Sequence, residues 1–476
     1  MREPKSLFIT DENIGLVTDL YQLTMAAGYF QNNVDSTATF ELFVRKLPEG
    51  RSFLVAAGLE QALHYMKTLK FSDGAIDYVR RHPSFTNVKA EFFDYLRDFR
   101  FRGDVWAIPE GTVAFAEEPL LRVTASIIET QLVETYLLSA INFQTLIASK
   151  AARVVLAARG RDVSDFGSRR AHGPQAGVLA ARACYVGGCT STSNVLAGRE
   201  LGIPLMGTMA HSWVMAFDTE EEAFHRFYEV FPKNTALLID TYDTIRGAHI
   251  AKRLAKRLGA TDRLRAVRLD SGDLLRLSGE VRKILDDSGL DYVKIMASGD
   301  LNEYRIDELA RQDAPIDIFG VGTEMVTSKD QPALGGIYKL VELKKDGRAV
   351  PRMKLSEDKV FYPSRKQVYR FSDSSGVYTH DLLGLEGETA GGVPLLERVM
   401  EKGEIVMDLP GINDIRDRAV GSISGLPLRF RDVMATEPYT VKKSERLEEL
   451  RRRTEEGLRG SNVANPDLGT TTATTT

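Results

Sequence analysis

The sequence predicts an α/β protein built around a parallel α/β barrel, whole or incomplete, and three observations carry the prediction. From Arg161 onward, short strand-like runs at residues 161–166, 203–206, 236–239, 266–269, 292–296 and 316–319 alternate with amphipathic helical segments. The intervening helices are apolar on one side only: Leu274, Leu277, Val281 and Ile284 share one face, and Ile250, Leu254 and Leu258 repeat on another helix that stops at Gly259. Each run ends in polar residues, as strands do where they open onto the shared mouth of a parallel barrel.

In chain order, residues 1–125 read as an α+β domain. Apolar stretches such as Thr39-Phe40-Glu41-Leu42-Phe43-Val44 and Val105-Trp106-Ala107-Ile108 alternate there with helical segments such as 91–97. Residues 126–340 form the barrel domain, entered through a largely apolar segment, 127–155, that lacks Gly and Pro and so reads as buried helices. Residues 341–443 are strand-rich, with turn signals at Lys345-Asp346-Gly347 and Asp373-Ser374-Ser375-Gly376, and read as a small β-containing module. Residues 444–476 begin as a charged helix with Glu448/Arg452 and Glu449/Arg453 pairs. They end in a Thr-rich stretch from Gly469 that is expected to be disordered and without a catalytic role.

Composition narrows the function classes. A chain of 476 residues, 43% hydrophobic and 27% charged, can bury a large core. With 62 basic against 66 acidic residues and a net charge of -4, a broad nucleic-acid surface is disfavoured, whereas a local basic pocket for small anions is not. Only Cys184 and Cys189 are present, which excludes a four-cysteine zinc site and fits a reducing cytoplasm; both read as packing residues. The start of the chain lacks the apolar stretch of a signal peptide, and no run approaches the roughly 18 apolar residues of a membrane span, so the expectation is a cytoplasmic protein with no membrane partner.

The residues that end the runs form a coherent chemical set. They are Asp165-Phe166-Gly167-Ser168-Arg169-Arg170, Thr208 and His211, Asp240 and Asp243, Arg268-Leu269-Asp270-Ser271-Gly272-Asp273, Ser298-Gly299-Asp300, and Gly320-Val321-Gly322-Thr323. Gly299, Gly320 and Gly322 sit at corners where backbone N–H groups can face a phosphate unobstructed by Cβ atoms, although ordinary βα turns use glycine in the same way. Arg169, Arg170 and Arg268 offer planar donor forks for a carboxylate or phosphate, and Asp270 can accept from ribose hydroxyls or help hold Mg²⁺. Ion pairs across the barrel rim are the structural alternative for the same residues. Phe166 can stack on a flat ring or simply fill core. His211 follows the apolar run at 203–206 and is placed to meet a ligand, where an isolated histidine would serve only packing.

Several longer motifs extend this set: Thr18-Asp19-Leu20-Tyr21-Gln22, Phe40-Glu41-Leu42-Phe43, Gly207-Thr208-Met209-Ala210-His211-Ser212, Asp240-Thr241-Tyr242-Asp243, Arg268-Leu269-Asp270-Ser271-Gly272-Asp273 and Leu334-Gly335-Gly336-Ile337-Tyr338-Lys339-Leu340. In these motifs, over residues 16–355, the chain resembles the nicotinate phosphoribosyltransferases. The resemblance implies a homodimer with shared active sites. In it, an irregular parallel α/β barrel is completed by an α+β domain built from the N- and C-terminal parts of the chain. It implies synthesis of nicotinate mononucleotide and pyrophosphate from nicotinate and 5-phosphoribosyl 1-pyrophosphate in NAD salvage, with ATP as co-substrate and Mg²⁺ as cofactor.

By the same resemblance, His211 is phosphorylated by ATP and Asp240 orients its ring. Phe166 and Tyr21, the latter from the other subunit, sandwich the pyridine, with Arg169, Arg268 and Thr208 near its carboxylate. Asp270 holds ribose hydroxyls, and Gly299, Gly320, Gly322 and Thr323, next to Ser298, cradle the 5′-phosphate. Arg45 and Lys354 would also meet phosphate. Relatives that use nicotinamide place an acid where Thr190-Ser191-Thr192-Ser193-Asn194 stands here without a carboxylate, which favours the anionic base. The competing readings are the same chemistry on nicotinamide and a non-catalytic sugar-phosphate sensor. A metal-dependent aldolase or hydrolase barrel lacks a His and carboxylate ligand cluster in the sequence.

Overall fold

The computed structural model describes residues 7–258, 264–355, 361–435 and 437–463. At its centre is a six-stranded, all-parallel sheet in the order Ser191–Thr192, Asp162–Asp165, Ile318–Val321, Lys294–Ala297, Ala266–Leu269, Ala236–Leu238. Parallel neighbours require crossovers, and the helices Thr244–Arg257, Leu274–Asp286 and Glu303–Arg311 supply those between successive strands. Each starts on a side-chain cap: Asp243, Asp273 and Asn302 accept from the backbone N–H groups of Arg246, Arg276 and Arg305. Leu254, Val281 and Leu285 on these helices share one core with Leu237, Val267, Ile295 and Phe319 on the strands. Because side chains alternate along a strand, the partners of those residues, Ala236, Ala266, Arg268, Met296 and Ile318, face the inside of the curled sheet.

Two details differ from the sequence reading. The run at 203–206 forms no strand; Leu205 makes a single parallel bridge to Thr192. Pro204 has no N–H to donate, so contact is limited to the Pro204 carbonyl, which accepts from Thr192, and to Met206 N–H, which donates to the Thr192 carbonyl, both at 3.0 Å. The strand in that place is Ser191–Thr192, two polar residues without an apolar signature, buried because Ser191 and Thr192 bond Ser164 and Asp165 on the neighbouring strand. On the helix Leu274–Asp286, Leu285 is buried while Ile284 is only half-buried. Leu258 caps the preceding helix, and the stop expected at Gly259 lies outside the described residues.

The second layer is an antiparallel seven-stranded sheet made by both ends of the chain: Arg348–Pro351, Gly336–Lys345, Thr37–Val44, Pro119–Ser126, Asp104–Ala107, Glu397–Glu401, Glu404–Ile405. The expected turn at 345–347 closes its outer hairpin with Asp346 and Gly347 at φ 51° and 75°, the two left-handed residues that a tight hairpin needs. A four-stranded sheet, Val393–Pro394, Lys366–Ser372, Tyr378–Leu385, Val441–Lys443, lies beside it. The helix Glu134–Ala157 belongs to both cores: Leu137, Ile141 and Leu146 pack with the seven-stranded sheet, while Ile147, Ala148 and Ala151 pack with the barrel. Its Lys150 and Arg153, with Arg51 from the N-terminal part, surround the fully buried Glu303 at 2.5, 3.1 and 3.8 Å and tie the two layers together.

The C-terminal segment adds a helix that its strand-rich pattern hides. Ile412–Ser424 sets Ile415, Ala419 and Ile423 into the barrel core, and Tyr185 donates to Asn413 at 2.7 Å. In the last helix, Glu445–Val463, Glu449 pairs with Arg453 as expected. Glu448 instead accepts from the Tyr362 hydroxyl and pairs with Arg451, whose guanidinium lies 5.7 Å from the centre of the Tyr362 ring, while Arg452 is exposed. The Thr-rich stretch from Gly469 lies outside the described residues. Cys184 and Cys189 are buried free thiols in the barrel core, and burial pushes the Cys184 thiol well above its ordinary range. Among the described residues, no helix is long and apolar enough to cross a membrane.

Candidate active site

The carboxyl ends of the parallel strands converge on a cavity of about 230 Å³. Eleven of the residues singled out in the sequence line it: Phe166, Arg169, Arg170, Arg268, Asp270, Ser298, Gly299, Asp300, Gly320, Gly322 and Thr323. The common cause is the parallel sheet, which brings every βα corner to one side.

The first corner is held by Asp165. Its buried carboxylate accepts from Gly167 N–H at 2.8 Å and from the Thr192 hydroxyl at 2.7 Å, which sets the short turn Ser168–Arg170. Burial raises the Asp165 pKa, and those two donors oppose the rise. Asn194 donates to Ser168 at 3.0 Å, so the segment 190–194, free of carboxylates, is bonded directly to the turn that carries Arg169. Arg169 and Arg170 are exposed and form no ion pair among the described residues, so the rim salt-bridge reading does not apply to them.

Arg268 does pair, and its fork organises the centre of the site. It donates to Ser298 at 2.7 Å, to Thr208 at 3.1 Å and to Asp270 at 2.6 Å, and its guanidinium lies 5.4 Å from the centre of the Phe166 ring. Asp270 is half-buried, which alone would raise its pKa; the hydrogen bond from Ser298 and the charge of Arg268, with His211 beyond, outweigh burial and hold the carboxyl below its usual range. Asp270 is therefore an anion at neutral pH.

Two glycines are required here by close approach. A Cβ on Gly320 would lie 2.6 Å from the Phe166 ring, so glycine lets that ring lie against the strand. Gly299 has φ 87°, and a Cβ there would fall 2.0 Å from the Asp270 carbonyl.

His211 opens the short helix His211–Met215 at the edge of this cavity, with its ring Nε2 3.9 Å from Asp270. Its Nδ1 meets the Thr241 hydroxyl at 3.1 Å. Asp240 is expected from the sequence to orient this ring; in this structure the ring bonds Thr241 instead. The Asp240 carboxylate turns to the next corner, accepting from Asp270 N–H at 2.8 Å and from the Ser271 hydroxyl at 2.6 Å, while its Oδ1 is buried without a partner. Thr241 and Asp165 are the positioning residues the sequence reading missed. Both stand inside stretches already singled out, but nothing in the spacing marked them.

Two other predicted residues lie outside the cavity. Thr208 faces a second, larger cavity, and Tyr21 sits half exposed on the N-terminal helix Leu20–Gln31 beside exposed Leu20 and Met25. Arg45 lines a separate groove, with its Nε buried and unpartnered. No group of three or more His, Cys, Asp or Glu side chains among the described residues forms a metal cage.

Fold and cavity together define an enzyme of the α/β-barrel class, with a small-molecule site at the strand carboxyl ends made of arginine forks, the ionised Asp270 and glycine corners. Comparison with known proteins gives the family. Residues 16–142, 162–367 and 391–451 match the N-terminal domain, the family domain and the C-terminal domain of nicotinate phosphoribosyltransferase, respectively, and the chain belongs to that family. It is 48% identical over 434 residues to nicotinate phosphoribosyltransferase pncB2 of Mycobacterium tuberculosis, covering 91% of this chain and 92% of that protein. It is 38% identical over 484 residues to the nicotinate phosphoribosyltransferase of Bacillus subtilis, covering 94% and 98%. The crystal structure of the human nicotinic acid phosphoribosyltransferase superposes with a TM-score of 0.82 at 30% identity, covering 92% of this chain and 99% of that one.

Proposed function

We propose that this protein joins nicotinate to 5-phosphoribosyl 1-pyrophosphate, giving nicotinate mononucleotide and pyrophosphate, and that ATP hydrolysis drives the reaction through phosphorylation of His211. The observation that carries the proposal is the meeting, in one cavity, of the glycine corners, the Arg268–Asp270–Ser298 network and the unpaired Arg169, with His211 3.9 Å from Asp270.

In this reading the nicotinate carboxylate takes the fork of Arg169 and the pyridine lies against Phe166. The second face of the ring is covered by Tyr21 of a second copy. Tyr21 is absent from its own chain's cavity and exposed beside Leu20 and Met25, an apolar surface suited to a dimer contact. The pyridine nitrogen forms its bond to the ribose C1′ as the bond to the pyrophosphate oxygen breaks and its electron pair leaves with pyrophosphate. Asp270, held ionised by Arg268 and Ser298, stabilises the positive charge that builds on the ribosyl group while accepting from its hydroxyls. The corners at 298–300 and 320–323 receive the 5′-phosphate.

A divalent cation such as Mg²⁺ would, when bound, supply charge neutralisation for pyrophosphate, and such ions are commonly held by one or two carboxylates plus substrate oxygens. Asp270 and Asp240, with its unpartnered Oδ1, fit that donor set. ATP transfers its terminal phosphoryl group to the His211 imidazole, and water later cleaves the nitrogen–phosphorus bond to release phosphate. Segment 190–194, bonded to the Arg169 turn, brings no negative charge near the base carboxylate, which supports nicotinate over nicotinamide. Two buried free thiols fit a cytoplasmic setting in NAD salvage.

The test is product formation from nicotinate, 5-phosphoribosyl 1-pyrophosphate and Mg²⁺, with and without ATP, against nicotinamide. Turnover of nicotinate stimulated by ATP is expected, and His211→Ala should lose the stimulation while keeping slow ATP-independent turnover. Preference for nicotinamide, substrate binding without turnover, or undiminished stimulation in His211→Ala would each overturn the corresponding part.

A further inference from the structure

A closed parallel barrel fills its interior with layers of side chains. Here the sheet has a seam between Leu205, with its lone bridge, and the edge strand Ala236–Leu238. The inward positions at the start of two adjacent strands are only Ala236 and Ala266. The interior is hollow as a result. A chamber of about 910 Å³ occupies the amino-terminal half of the barrel, within the roughly 300–1,000 Å³ typical of small-molecule sites.

The chamber backs onto the catalytic cavity. Thr208 lines the chamber and accepts from Arg268 at 3.1 Å, while Arg268 lines the catalytic cavity. On one strand, Met296 faces the chamber, and Ser298, two residues on, faces the catalytic side. The chamber wall is mixed: Leu205, Leu264, Met296 and Ile318 lie beside the two alanines, with Thr208 and Asn234 among the polar groups. Its charges lie at the strand starts: Lys233, Arg265 and Lys294 against a single acid, Asp162, which meets Lys294 at 3.8 Å. A partly apolar wall with a positive mouth suits a small molecule with an apolar body and one carboxylate.

We propose that this chamber is a second binding site for a small aromatic carboxylate. The choice of nicotinate as the probe rests on the function proposed above; the shape and charge of the chamber do not.

The test is equilibrium dialysis of labelled nicotinate with the full chain and two variants. Lys233→Glu/Lys294→Glu reverses two exposed charges at the mouth and should weaken a component of nicotinate binding at least tenfold, with an unchanged thermal melt. Phe166→Ala, in the catalytic cavity, should leave that component in place. Ala266→Leu, which fills the chamber from the inside, should also remove it. Nicotinamide, the uncharged analogue, should bind the chamber at least tenfold more weakly. Binding that Phe166→Ala abolishes completely, that survives the charge reversal, or that does not discriminate between the two bases would overturn the proposal. Product formation by the wild-type preparation reads the catalytic proposal separately.

Discussion

Which side chain aims the His211 ring decides how the ATP-coupled step is built, and two substitutions separate the candidates. In the structure the ring's Nδ1 bonds the Thr241 hydroxyl at 3.1 Å, whereas Asp240 holds the Asp270 corner through two bonds of 2.8 and 2.6 Å. Thr241→Val removes one neutral hydrogen bond at a partly exposed ring, worth about 0.5–1.5 kcal/mol, and so should lower ATP-stimulated kcat roughly 2- to 12-fold. Turnover without ATP should be unchanged, because no reacting group of the ribosyl transfer touches Thr241. Asp240→Asn removes the charge behind both bonds and presents a single acceptor. A loss of about 2–3 kcal/mol, or roughly 30- to 150-fold, is expected with and without ATP, because Asp270 moves with its corner. The assay is steady-state product formation by both variants, with and without ATP. A Thr241→Val enzyme with full ATP stimulation, together with an Asp240→Asn enzyme impaired only when ATP is present, would refute the reasoning and return ring orientation to Asp240.

Three further outcomes follow from the geometry. Gly320→Ala places a methyl group 2.6 Å from the Phe166 ring; overpacking of about 1–3 kcal/mol should raise the KM for nicotinate roughly 5- to 150-fold, and an unchanged KM would show that the ring does not touch the base. Glu303→Gln removes one of two carboxylates from a cluster with Arg51, Lys150 and Arg153, leaving Asp330 on Arg51 and Lys150, and should lower stability by about 3 kcal/mol in urea unfolding; a loss below about 1 kcal/mol would mean that the cluster relaxes freely around Asp330. Burial, with Asp243 and Asp240 nearby and Arg246 opposing, pushes the Glu220 carboxyl up to about 7, and both of its oxygens lack partners. Between about pH 4.5 and pH 7 the native state therefore keeps a proton that the unfolded chain has lost, and stability falls by up to about 3 kcal/mol as pH rises through that window. Glu220→Gln should match the wild type at pH 4.5 and exceed it at pH 8, and an offset independent of pH would contradict this.

Much of the barrel was legible because strands buried on both sides are short apolar runs bounded by polar corners. The run at 266–269 coincides with the strand Ala266–Leu269, and those near 236, 294 and 318 shift by no more than about two residues. The run at 203–206 misled because apolar character says nothing about the missing N–H of Pro204. Ser191–Thr192 was invisible because its burial is stabilised by hydrogen bonds to Ser164 and Asp165, contacts made only after the sheet assembles. The helix Ile412–Ser424 was hidden by the polar pattern around it, since only a narrow stripe of Ile415, Ala419 and Ile423 meets the barrel.

The corner residues illustrate the same division within the site. That Phe166, Arg169, Arg268, Asp270 and the glycines share one cavity follows from their places at strand ends, because a parallel sheet directs all such ends to one side. Which of the neighbours Asp240 and Thr241 turns toward His211 depends on backbone direction at a corner, where no periodicity applies. Whether the barrel interior is filled depends on which alternate side chains face inward and on a seam between two edges distant in the chain. Order along the chain determined the family, the barrel and the roster of reactive groups, since these rest on local pattern and on residue type. The tertiary structure alone decided their partners and the empty space between them, since both are set by contacts between segments tens to hundreds of residues apart.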